Sequence, residues 1–137
     1  MKTVNIFYLY QALRPLNAMN DSEYEAALDD WEPYSPHRYH DFLGKHLLPS
    51  YAAWDATSQA KVVEALQYAL ATGRVDFAAI LADQRYSPMP SPDDPKEVFD
   101  ALWELLAPGR SYDADGVTAW QEHNVREEAV IKERRET

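Results

Sequence analysis

The sequence predicts an all-α fold, a compact single-domain bundle of six or seven helices over residues 1–137. Helix-start signals recur along the chain, at Ser22, Ser35, Thr57 or Ser58, Asp76 and Asp94. Apolar residues between them fall at three- and four-residue spacing, the period of a buried helical face. One run, Val4 to Tyr10, has strand propensity, and no second strand-like run is present to pair with it.

Taken in order, residues 1–19 are assigned to helix, because Ile6, Leu9, Tyr10 and Leu13 share one helical face. Ser22-Glu23-Tyr24-Glu25 has the pattern of a capping box and predicts a helix ending near Trp31, ahead of Pro33. Ser35-Pro36 combines an N-cap serine with proline at the first helical position. The helix it opens carries Tyr39, Phe42, Leu43 and Leu47 and stops before Pro49, with a short helical turn expected from Tyr51 to Trp54.

Thr57 or Ser58 should open the most regular helix, with Val62, Val63, Leu66, Ala69 and Leu70 as its apolar stripe and Gly73 as its C-terminal cap. Asp76 caps a short helix containing Phe77, Ile80 and Leu81. Prolines at 88, 90 and 92 forbid regular helix and central strand, so this stretch is expected as an extended surface loop. Asp94-Pro95-Lys96-Glu97 opens a helix that Pro108-Gly109 ends. A last helix is expected from Val117 toward Arg135, supported by the pairs Glu122–Arg126 and Glu128–Lys132.

Charge limits the function. Asp and Glu number 23 against 13 Lys and Arg, a formal net charge of −10. Six carboxylates (Asp21, Glu23, Glu25, Asp29, Asp30 and Glu32) lie between residues 21 and 32 with no basic residue among them. Such a surface repels nucleic acid and anionic lipid and attracts a basic protein. Neither nucleic acid nor membrane is therefore an expected partner. Cysteine is absent, which removes disulfides and thiolate chemistry and fits a cytoplasmic setting. The N-terminal stretch is too short and polar for a signal peptide, so the Asn20-Asp21-Ser22 sequon is assigned to chance.

Catalytic patterns are weak. The segment Ser111 to Glu122 resembles the loop of the EF-hand calcium-binding family when aligned on Gly116. Asp113, Asp115 and Glu122 then match positions three, five and twelve of that loop. Ser111 replaces the first aspartate, Thr118 replaces the usual aliphatic residue, and Pro108-Gly109 breaks the entering helix. The expectation is a turn leading to a helix capped by Asp113 or Asp115, without calcium. His37, His40 and Asp41 share one helical face and form a second candidate metal set, with His46 pointing elsewhere. Packing or surface roles are expected for them instead. There is no G-x-S-x-G elbow and no glycine-rich phosphate cradle. No cofactor and no catalytic activity is expected.

The functional expectation is an acidic cytoplasmic binding protein, most concretely an immunity protein or antitoxin that neutralises a basic toxin such as a nuclease. A nuclease needs a positive groove for phosphate, and an acidic inhibitor can occlude it. The alternatives are a secretion chaperone or adaptor for a basic client, and a metal-dependent enzyme or sensor. The expected partner surface comprises Asp21, Glu23, Glu25, Asp29, Asp30, Trp31, Glu32 and Tyr34. A second choice is the face around Tyr86, Met89, Asp93 and Asp94, where a proline-stiffened loop loses little entropy on binding. The sequence carries no signal for oligomeric state.

Overall fold

The computed structural model describes residues 2–135. Among them are eight α-helices: α1 (Phe7–Ala12), α2 (Arg14–Asn17), α3 (Asp21–Asp30), α4 (Arg38–His46), α5 (Leu48–Ala53), α6 (Ala56–Thr72), α7 (Phe77–Ala82) and α8 (Lys96–Leu106). Two short strands, β1 (Thr3–Val4) and β2 (Gln121–Glu122), pair in parallel. The domain is all-α.

The 17-residue α6 is the central element. Val62, Ala65, Leu66, Ala69 and Leu70 are buried along it, as their spacing requires. Its N-terminus is capped by Asp55, whose carboxylate accepts the Ser58 N–H at 2.8 Å, rather than by Thr57 or Ser58. Gly73, at φ 63°, closes the other end in the left-handed conformation that favours glycine. Helices α1 and α8 pack on α6, α4 packs on α8, and together they share a core that includes Leu9, Leu13, Leu43, Leu66, Phe99 and Leu102. A smaller cluster of Ala12, Trp54 and Val62 is covered by Ile131.

Several helix starts differ from expectation. Asn20, not Ser22, caps α3; its side chain accepts the Glu23 N–H while Glu23 accepts the Asn20 N–H. Ser35 does not cap α4, which begins at Arg38; its hydroxyl accepts the His37 N–H and donates to Asp41 instead. The expected turn from Tyr51 to Trp54 is a distinct helix that begins at Leu48, with Pro49 in its first turn where the missing N–H costs nothing. Asp76 caps α7 as expected, through the Ala79 N–H.

The largest correction is at residues 117–135. No long helix forms there. A 3-10 turn at Val117–Ala119 leads into β2, a second 3-10 turn spans Arg126–Glu128, and the rest has no regular helix or strand. We call residues 121–135 the strap. The pairs Glu122–Arg126 and Glu128–Lys132 do not form; Glu122 accepts the Tyr68 hydroxyl and Glu128 lies against His123. The strap satisfies its backbone on other elements. Gln121 and His123 donate to Lys2 and Val4 carbonyls, Asp55 donates to Lys132, and Arg134 donates to Ala53. An isolated antiparallel bridge joins Trp54 and Glu133. The partner strand missing from the sequence reading of residues 1–19 is therefore β2.

Asn5 and Asn124 lock this arrangement. Asn5 accepts the Phe7 N–H at the start of α1 and donates to the Val125 carbonyl at 2.7 Å. Asn124 accepts the Ile6 N–H at 2.9 Å. The donors at the start of α1 are thus satisfied partly by a segment 118 residues away in sequence.

Candidate functional site

The acidic run lies on α3 and the loop after it. Ala27 is the only fully buried residue of α3, with Tyr24 and Asp30 half-buried, so the helix rests on the surface of the bundle. Asp21 and Glu23 suit the positive end of the helix dipole; Asp29 and Asp30 oppose its negative end. Asp30 is compensated. Lys45 Nζ and His46 Nε2 of α4 each lie 2.9 Å from its Oδ2. The hydrogen bond from Lys45, then its charge and those of His46, hold the Asp30 carboxyl below its usual range despite partial desolvation.

The other five carboxylates (Asp21, Glu23, Glu25, Asp29 and Glu32) are exposed, and no described cation lies within ion-pair distance of them. Leu28 stands among them with 46% of its surface exposed.

Trp31 and Tyr34 separate in role. The Trp31 ring packs on Tyr39 at 4.9 Å and on Phe42 at 5.8 Å, joining α3 to the core. Tyr34 is 98% exposed. Its loop is nonetheless braced: Ser35 donates to the Glu32 carbonyl, Arg38 donates to the Pro33 carbonyl, and prolines flank it at 33 and 36.

The second-choice face is less coherent. Tyr86 is exposed and its N–H donates to Asn17, but Met89 is buried in the core and unavailable to a partner. Tyr39 donates to the Pro90 carbonyl at 2.7 Å, tying the proline loop to α4. Burial first, then the charges of Glu97 and Asp93 against that of Arg38, leave the Tyr39 hydroxyl raised to about 12. Asp93 is exposed, and Asp94 accepts the Lys96 N–H ahead of α8.

The candidate metal sets are not assembled. His40 lies 3.8 Å from Asp41, His37 precedes α4, and His46 turns to Asp30. Asp113 and Asp115 are exposed and neither caps a helix; Gly116 at φ 83° leads into the 3-10 turn instead. Glu122 is engaged by Tyr68 and Asn124. Among the described residues no three His, Asp or Glu side chains are grouped to hold a metal ion.

Sequence reasoning missed a slot between α4 and α8, about 160 Å³ in volume. Glu97, Asp100 and Glu104 line it from α8, at spacings of three and four that could have signalled a shared face. Arg38 closes one side through a two-point contact with Glu97 at 3.2 and 3.0 Å. Burial first, then the charges of Asp94 and Glu104, raise the Asp100 carboxyl even though Lys96 lies 3.7 Å away. A second hollow of about 220 Å³ lies between β1, α6 and the strap, where Lys2 pairs with Glu64 and His123 with Glu128.

No helix of the described residues is long and apolar enough to cross a membrane. No protein-family model, curated protein or solved structure matches the chain.

Proposed function

We propose that the chain is a protein-binding inhibitor of a basic partner, most concretely an immunity protein or antitoxin for a toxin such as a nuclease, acting in the cytoplasm. The supporting observation is α3: five exposed carboxylates on and just beyond it lack a cation, on a helix anchored by one fully buried residue. Asp29 adds weight. It opposes the dipole of its own helix with no compensating cation, a cost to the fold that attraction of a positive surface would explain. An acidic face brought against a phosphate-binding groove would speed encounter and block substrate.

The test is co-expression with the product of a neighbouring basic reading frame. A stoichiometric complex that weakens with salt and silences a nuclease activity supports the proposal. A metal retained through purification, or turnover of a small substrate, would replace it with the enzyme reading.

A further inference from the structure

Leu28 on α3 and Tyr34 in the loop after it are exposed large hydrophobic side chains beside the acidic run. Along α3, Tyr24 lies one turn before Leu28, so the two form a ridge of the kind that seats between side chains of a second helix. Asp21, Glu25 and Asp29 follow one another at single-turn spacing on α3, and Glu32 lies in the loop just past its end. An apolar ridge edged by one sign of charge selects a helix with an apolar stripe edged by the other sign.

Area also bears on the occupant. A helix of 10 residues is about 15 Å long, far too small a face to supply the roughly 800 Å² per partner of a stable complex. The interface must continue past α3. The braced tip at Tyr34 is the next exposed apolar group along the chain, and an exposed aromatic on a stiff loop loses little entropy when it is covered.

Resting on the proposed function, we propose that the outward face of α3 and the loop tip at Tyr34 form one docking surface whose occupant is a basic amphipathic helix of the partner. Leu28 and Tyr34 bind its apolar stripe, and Asp21, Glu25, Asp29 and Glu32 pair with its lysines or arginines. Trp31 does not touch the occupant; it holds α3 and the loop in place.

The test titrates the full chain, isotopically labelled for amide NMR, with two synthetic helical peptides of equal positive charge. One carries a leucine stripe; in the other alanine replaces every leucine. At about 50 mM salt, where screening is modest, the leucine peptide should shift amides across residues 21–34 and bind at least about tenfold more tightly than the alanine peptide. Leu28→Ala should weaken the leucine peptide roughly five- to tenfold, since about half of that side chain is still open to burial. Tyr34→Ala should weaken it at least as much without changing the thermal melt, whereas Leu28→Ala should lower the melt by a few degrees while leaving the fold intact. Equal binding of the two peptides would reduce the contact to charge attraction and overturn the proposal. Largest shifts at the slot lined by Glu97, Asp100 and Glu104 would overturn the surface while leaving a basic partner in place. Failure of both peptides to bind would overturn the docking surface, while the proposed function is decided separately by the co-expression complex.

Discussion

Replacing Asn124 by alanine tests whether the strap is part of the fold or an accessory. The Asn124 side chain accepts the N–H of Ile6, a buried residue, at 2.9 Å and donates to Glu122 at 2.9 Å. Alanine removes both bonds. An orphaned donor at a buried residue costs about 1–3 kcal/mol, and the exposed bond to Glu122 adds a few tenths of a kcal/mol. The expected loss is therefore about 2 kcal/mol. For a chain of this length that lowers the melting temperature by roughly 6–10 °C. Urea unfolding followed by far-ultraviolet circular dichroism measures the free energy, and calorimetry measures the temperature. A change below about 0.5 kcal/mol in Asn124→Ala, within the range of inert surface substitutions, would show that the strap does not complete α1.

Two further outcomes follow from the charges. Asp29→Lys removes a carboxylate opposing the α3 dipole and should raise stability by about 0.5 kcal/mol in urea, while slowing association with a basic partner in stopped flow; lower stability would refute the dipole argument. Asp30 and Asp55 both have carboxyls held below the ordinary value of 3.8, the first by Lys45 and His46 and the second by the Ser58 N–H and hydroxyl. Their contributions are fully present above pH 3.8 and are lost as pH falls through the lower folded-state values, so Asp55→Asn should flatten the acid limb of a stability profile. An unchanged acid limb would remove Asp55 from that account.

The helical core was legible because its signals are local and mutually consistent. Val62 to Leu70, Gly73 and Asp76 each combine spacing with capping chemistry, and all take the predicted role. Caps were misplaced where two candidates lay within a few residues. Asn20 and Asp55 each sit just upstream of the serine or threonine chosen, and backbone geometry decides between such neighbours. The strap was hidden for a different reason. Its acidic and basic residues at four-residue spacing favour helix by only a few tenths of a kcal/mol per pair, which long-range backbone bonds and burial of Ala129 and Ile131 outweigh. At the candidate site, charge was readable from composition. The exposure of Tyr34 against the packing of Trp31 was not, because both are aromatics beside the same acidic run.

The pairing of β1 with β2 joins residues near opposite ends of the described chain, and it has a kinetic meaning. The helical core already pairs elements well separated in sequence, α4 with α8 and α1 with α6, and closing β1 on β2 spans more than a hundred residues, drawing further on chain entropy that only the completed pairing repays. During synthesis β1 leaves the ribosome first and waits, its edge unpaired, until residue 122 has followed. All eight helices thus precede the clasp in the growing chain. A stalled or truncated nascent chain would hold a nearly finished bundle with the start of α1 unsealed, the kind of intermediate that chaperones and proteases recognise.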